Sequence, residues 1–107
     1  MNKHRRRAVM DVVTIVCAEY GLSSVDIFSE DRHLSVAEAR GVCYAVARAT
    51  TRMSFPELGE AFDRDHSTIL QVSRGIMRRA KRDPHLAKTL EVCRLAAVEA
   101  GKARRVA

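Results

Sequence analysis

The sequence predicts an all-α domain of about six helices. Apolar residues recur at three- and four-residue spacing in successive segments, and residues that start or end helices separate these segments. No segment shows the alternating pattern of a strand. The chain has 107 residues, of which 47% are hydrophobic, which suits one compact core. We therefore expect one helical domain at residues 8–101, between a basic N-terminal segment at 1–7 and a mobile basic tail at 102–107.

Local signals place the first three helices. Gly21 suits the C-cap of the first helix, and Ser23 or Ser24 begins a short second one. The segment Ser35 to Glu38 has the form of a capping box and predicts the start of the third helix, which closes at residues 50–52. The apolar face of the first helix comprises Val9, Val12, Val13, Val16, Cys17 and Tyr20.

The remaining three helices follow from similar signals. A second capping box, Ser54 to Glu57, begins a short fourth helix, and Asp65 is the expected N-cap of the fifth. Pro84 suits the first position of a sixth helix, which Gly101 is expected to end. The fourth and fifth helices, with a brief turn between them, predict a helix-turn-helix.

The net charge of +6 is large for this length and favours a polyanionic partner, most often nucleic acid, although a merely basic surface is the alternative. Three separated cysteines without a C-x-x-C pair indicate buried free thiols in a cytoplasmic protein. Four scattered histidines predict no metal site. No apolar segment approaches the roughly 20 residues that span a bilayer, so we expect no membrane contact.

Catalytic groupings are absent from the sequence. There is no phosphate-binding G-x-x-x-x-G-K-[ST] motif, so we expect neither nucleotide nor other cofactor. Glu57 and Glu60 lie one helical turn apart, but this spacing is typical of a solvated helix face. We therefore predict a binding protein and not an enzyme.

The start of the fifth helix combines side chains that can meet base edges. Asp65 can accept from a cytosine amine, His66 and Ser67 can donate or accept, the Thr68 methyl suits thymine, and Gln71 can pair with adenine. Each also has a plainer role, because aspartate is a favoured N-cap and serine and threonine are common in first turns. The spacing alone leaves base contact and helix capping both open.

Basic residues flank that helix start. Arg64 and Arg74 are candidates for phosphate contact, and Arg78, Arg79, Lys81 and Arg82 follow them. A solvated helix face, with positive charge near the helix C-terminus, is the alternative. A straight helix leaves the duplex as it lengthens, so we expect the far end to contribute less.

Several of these segments together resemble a known family. Residues 64–70, R-D-H-S-T-I-L, are similar to the signature of the C-terminal DNA-binding domain of the bacterial replication initiator DnaA. Residues 54–59 with Phe62, and residues 35–37 with Arg40, match segments that precede that signature. The resemblance covers roughly residues 8–97 and implies a helix-turn-helix of the Trp repressor type.

The resemblance also implies contacts with double-stranded DNA. The major groove would be contacted by Asp65, His66, Ser67 and Thr68, the minor groove by Arg32, and the duplex backbone by Arg40, Arg48 and Pro56. The family's target is a short asymmetric A/T-rich element. Here Glu30 and Asp31 occupy a usually basic loop, and Gly41 and Gln71 replace a common glutamine and histidine, so the preferred DNA sequence is expected to differ.

We interpret the chain as a sequence-specific DNA-binding protein of the nucleoid that regulates transcription. Nothing in it resembles the initiator's ATPase domain, so we expect no ATP-driven assembly on DNA. One alternative is a replication modulator that competes for the initiator's sites. Another is an adaptor that has lost sequence-specific binding and contacts RNA polymerase or a partner regulatory factor through the sixth helix or the basic tail.

Overall fold

A computed structural model describes residues 2–106 and confirms the all-α prediction. Over this range the chain forms six helices and no strand. The helices are α1 (Lys3–Tyr20), α2 (Ser24–Phe28), α3 (Leu34–Thr50), α4 (Phe55–Phe62), α5 (His66–Ala80) and α6 (Pro84–Val106). None of the helices over residues 2–106 is long and apolar enough to cross a membrane.

Helix α3 lies at the centre of the fold and supports the helix-turn-helix. Residues 41–47 are all buried, and α1, α5 and α6 pack around them. Gly41 allows α5 to approach closely, because a Cβ atom at this position would lie 2.4 Å from Ile76 Cγ1. Leu58, Phe62 and Ile69 anchor α4 and α5 in the same core. Helix α5 is therefore held against a rigid central helix.

Local capping signals fix most of the boundaries as predicted. Gly21 ends α1 in the left-handed region at φ 66°. Ser54 and Glu57 form the predicted capping box, with the Glu57 amide 3.2 Å from Ser54 Oγ and the Ser54 amide 2.9 Å from Glu57 Oε1. Asp83 accepts from the Leu86 amide at 3.1 Å and so caps α6. These contacts span three residues or fewer, which is why the sequence predicts them well.

The predicted capping box at Ser35 is wrong. The N-cap of α3 lies two residues earlier, at His33, so the helix begins at Leu34, and the His33 side chain makes no capping hydrogen bond. The Glu38 carboxylate instead accepts from Tyr20 Oη at 2.5 Å and forms an ion pair with Arg79. The Glu38 side chain, which would have closed the capping box, thus binds residues of α1 and α5 instead.

Both terminal helices are longer than the sequence predicted. Helix α1 starts at Lys3, inside the segment predicted as a separate basic extension, and Asn2 caps it by accepting from the Arg5 amide at 2.8 Å. The predicted helix end at Gly101 is wrong, since α6 continues to Val106. Gly101 is buried, and Arg104 Nε donates to Asp11 Oδ2 at 2.6 Å, so packing on α1 stabilises the last turn. Met1 and Ala107 lie outside the described residues.

The prediction of buried free thiols is confirmed. Cys17, Cys43 and Cys93 are all buried and unpaired in disulfides. Burial raises the pKa of each thiol, and that of Cys93 rises to about 11. The three thiols are therefore poorly reactive at neutral pH.

Candidate nucleic-acid interface

The turn between α4 and α5 is tight and depends on a glycine. The Arg64 amide donates to the Gly59 carbonyl at 2.9 Å, and Asp63 adopts a left-handed conformation at φ 53°. A Cβ atom at Gly59 would lie only 2.7 Å from the Arg64 carbonyl oxygen and 3.2 Å from the His66 amide nitrogen. The glycine therefore lets α4 lie directly against the start of α5.

The start of α5 is capped and exposed. Asp65 Oδ1 accepts from the Ser67 amide at 2.8 Å, which confirms the predicted capping role. Hydrogen bonds from the Ser67 backbone and side chain, with the Thr68 backbone, lower the pKa of the Asp65 carboxyl. The side chains of His66, Ser67 and Thr68 are exposed in the first turn. Their contact with bases stays a prediction.

A single face of α5 continues this exposed surface. Gln71 and Arg74 are exposed and follow Ser67 at helical spacing, with Arg78 and Lys81 further along. Ile69 and Ile76 on the opposite face are buried in the core. The face thus carries polar groups at its N-terminal end and positive charge beyond them.

The loop between α2 and α3 carries the predicted minor-groove residue, Arg32. Its side chain is exposed, and no hydrogen bond or ion pair joins it to another residue in the range 2–106. The flanking residues are ordered, because Asp31 Oδ1 accepts from the His33 amide at 2.9 Å and lies 2.5 Å from His33 Nδ1. This pairing raises the pKa of His33 and lowers that of Asp31. Arg32 is therefore an available cation on a structured loop.

Arg40 holds this loop against α3. Its guanidinium donates to the carbonyl oxygens of Ile27 at 2.8 Å, Asp31 at 2.5 Å and Asp26 at 3.0 Å. It also donates to the Ser29 carbonyl at 2.6 Å and to Ser29 Oγ at 3.2 Å. The resemblance implied that Arg40 contacts the DNA backbone. In the structure, each of the three guanidinium nitrogens of Arg40 already donates to an oxygen atom of the protein.

Arg64 joins the same loop to the helix-turn-helix. Its Nη2 donates to the Ser29 carbonyl at 2.8 Å and lies 3.9 Å from Glu30 Oε1. Only 23% of the Arg64 side chain is exposed. Two guanidinium groups thus converge on one carbonyl, that of Ser29, and the loop bearing Arg32 is fixed relative to the start of α5. We call Arg40, Arg64 and Ser29 the loop clamp.

Arg48 braces the entry to α4. Its Nη1 donates to the Met53 carbonyl at 2.7 Å, and its guanidinium carbon lies 4.7 Å from the centre of the Phe55 ring. Pro56 follows in the first turn of α4 and is exposed.

The sequence did not predict the bracing role of Arg48, the loop clamp or the need for glycine at position 59. The glycine next to the predicted turn was the one signal that could have indicated such packing.

The candidate interface combines exposed polar and basic side chains on adjoining elements. In the part of the chain that the structure describes, no three His, Cys, Asp or Glu side chains are placed to hold an ion. The exposed start of α5, the basic residues behind it and the clamped Arg32 loop adjoin one another through Arg64. A short helix leading by a tight turn into an exposed second helix defines the helix-turn-helix class of DNA-binding domains.

Comparison with known proteins places the chain within that class. It belongs to the family described as the bacterial DnaA protein helix-turn-helix, whose model matches residues 9–76. Chromosomal replication initiator protein DnaA of Xanthobacter autotrophicus is 34% identical over 97 residues, which cover 90% of this chain and 19% of that protein. DnaA of Deinococcus radiodurans is 36% identical over 84 residues, covering 78% and 18% respectively. The chain thus spans about a fifth of the length of these relatives.

Solved structures are similar in fold. A crystal structure of a DNA replication initiation factor superimposes with a TM-score of 0.81 at 26% identity, covering 91% of this chain and 30% of that one. Replication initiator DnaA bound to AMPPCP and single-stranded DNA gives a TM-score of 0.76 at 26% identity, covering 89% and 29%. The family and the fold both correspond to the DNA-binding helix-turn-helix domain.

Proposed function

We propose that this protein binds double-stranded DNA in a sequence-specific manner through α5 and the Arg32 loop. One observation carries the proposal: the loop clamp joins an exposed polar helix start to an exposed, unpaired arginine on a neighbouring loop. A helix in the major groove and an arginine in the adjacent minor groove would together fix both register and orientation on a duplex.

The proposed contacts divide between bases and backbone. Base edges would be contacted by Asp65, His66, Ser67, Thr68, Gln71 and Arg32. Pro56 and Arg74 are exposed and suited to meet the sugar-phosphate backbone. Arg40, Arg48 and Arg64 would act chiefly by positioning loops, because their guanidinium groups already donate to carbonyl oxygens.

The two acidic residues of the loop are compatible with this docking. The Asp31 carboxylate is engaged by His33, and Arg64 lies near Glu30. Their negative charge is therefore partly balanced within the protein. The Glu30 side chain is 93% exposed and would still weaken the approach of a phosphate, so we expect a weaker contact with DNA from this loop than a basic loop would give.

We propose regulation of transcription as the biological role, exerted from the nucleoid by occupying promoter sites. The second candidate is competition for initiator sites, and it is favoured by similarity to chromosomal replication initiators over most of this chain. A genome-wide occupancy map separates them, since promoter peaks support the first role and origin peaks the second. Contact with RNA polymerase or a regulatory factor would add to the first role.

The central experiment measures both specificity and charge dependence. A preferred duplex is first obtained by selection from random oligonucleotides, and binding to it and to a scrambled duplex is then titrated at several salt concentrations. We expect Thr68→Ala to lose preference by about 1–3 kcal/mol. Arg74→Ala should weaken both duplexes alike and flatten the salt slope by about 1.

Lys88→Ala serves as the matched control, because Lys88 is an exposed basic residue on α6. It should leave preference and slope unchanged. Selection that yields no enriched sequence, together with equal weak binding to all duplexes, would overturn sequence specificity. No binding at low salt would overturn the proposal as a whole.

A further inference from the structure

The first two turns of α1 concentrate positive charge in an unexpected place. Lys3, Arg5, Arg6 and Arg7 are all exposed there, and the first turn holds no acidic residue. The N-terminus of a helix carries a partial positive charge, so basic side chains at this end oppose the helix dipole. The cluster therefore does not serve the stability of its own helix. We call these four residues the α1 basic turn.

The fold brings the α1 basic turn to the flank of the helix-turn-helix. Arg5 forms an ion pair with Glu57 of α4, the residue that closes the capping box. Arg6 lines a shallow groove together with Glu60 and Ala61 of α4. On the other side of α1, Ala8 and Arg105 line a second groove, so the basic end of α6 adjoins the same region.

We infer that the α1 basic turn is a second phosphate-contacting surface, which engages the backbone of the duplex beside α4. The inference rests on the proposed function and enlarges the surface of the protein that would contact DNA. By itself the Glu57 carboxylate would make that flank of α4 repel phosphate, and the adjoining arginines reverse the sign of the local charge. Arg5 is occupied by Glu57, whereas Arg6 and Arg7 are exposed.

The test compares two double variants that each remove two positive charges. In Arg6→Gln/Arg7→Gln the basic turn is weakened. In Arg82→Gln/Lys88→Gln two exposed basic residues far from Arg105 are neutralised, Arg82 in the turn before α6 and Lys88 in the second turn of that helix. If both arginines meet phosphates, the slope of log affinity against log salt falls by about 1.8 in the first variant. The control variant keeps the wild-type slope. Equal slopes in the two variants overturn the inference.

A second measurement does not require loss of charge at these arginines. The native thiols are buried, so a DNA-cleaving probe attaches selectively to an introduced exposed cysteine. With Lys3→Cys we expect strand cuts at one edge of the binding site, and with Lys88→Cys none. If the wild-type protein binds the duplex but Lys3→Cys gives no cuts, the inference is overturned and the proposed function is upheld. Failure of the wild-type protein to bind any duplex would instead refute the proposed function itself.

Discussion

Replacement of Arg40 tests the loop clamp most directly. The guanidinium donates to four carbonyl oxygens at 2.5–3.0 Å, and all of these bonds are partly buried. Because water can replace part of each interaction, a net value near 0.5–1 kcal/mol for each is reasonable. We therefore expect Arg40→Lys to lower the free energy of unfolding by up to roughly 2–4 kcal/mol, the value for loss of all four bonds, since an ammonium cannot match the planar fork. Urea denaturation measures this loss.

The effect on DNA binding should run through Arg32. If Arg40 acts by fixing the loop, Arg40→Lys weakens binding in the wild-type background by up to the value of the Arg32 contact, about 1–3 kcal/mol. In an Arg32→Ala background the same substitution should change the affinity very little. The double-mutant cycle comprises the wild-type protein, Arg40→Lys, Arg32→Ala and the double variant. Fluorescence anisotropy measures the affinity of each for the selected duplex, in buffer without urea, where all four are folded.

A direct phosphate contact by Arg40 predicts the opposite pattern. Lysine can also contact phosphate, so Arg40→Lys would then retain most of the affinity and the wild-type salt slope. Any loss would be equal with and without Arg32. Equal losses in the two backgrounds would refute the assignment of Arg40 as a positioning residue.

Three further predictions concern packing and charge. Gly41→Gln should destabilise the fold by about 1–3 kcal/mol in urea, because its Cβ would meet Ile76, and Ile76→Ala should recover part of the loss. Gly59→Ala should lower the melting temperature and DNA affinity together, since its Cβ would lie 2.7 Å from the Arg64 carbonyl oxygen; loss of neither would contradict the role of this glycine. Burial raises the pKa of Glu38, but hydrogen bonds from Tyr20 and Arg79 outweigh it and leave the pKa below the ordinary 4.5. Its stabilising contribution should be present above that value and be lost as pH falls through the lowered pKa, so Glu38→Gln should flatten the acid limb of a melting-temperature profile.

Helix boundaries were predictable where the signal acts within one turn. Gly21, Ser54, Asp65 and Asp83 each cap through contacts to residues two to four positions away, and each boundary is where the sequence placed it. The capping box at Ser35 failed because Glu38 finds partners on other helices. A local pattern cannot represent that competition.

The roles of the arginines were not predictable for a different reason. Arg64 donates to a carbonyl 35 residues away, and Arg40 to carbonyls 9–14 residues away. Every residue has a carbonyl group, so no side chain in the sequence marks the acceptor. The resemblance to DnaA identifies the arginine positions, but only the tertiary structure shows that their guanidinium groups already have acceptors. The basic segment at 1–7 likewise looked like an extension until Arg5 was found against Glu57.

The two roles considered for Asp65, helix capping and base contact, are compatible. A carboxylate has about four acceptor positions, and the cap formed through Oδ1 to the Ser67 amide leaves others free. The cap also fixes the direction of the first turn, from which His66, Ser67 and Thr68 project into solvent. A base contact by Asp65 would therefore be made by a side chain whose orientation the helix itself has already set. Such a contact loses little conformational entropy on binding, which is the condition under which a short polar side chain discriminates well between bases.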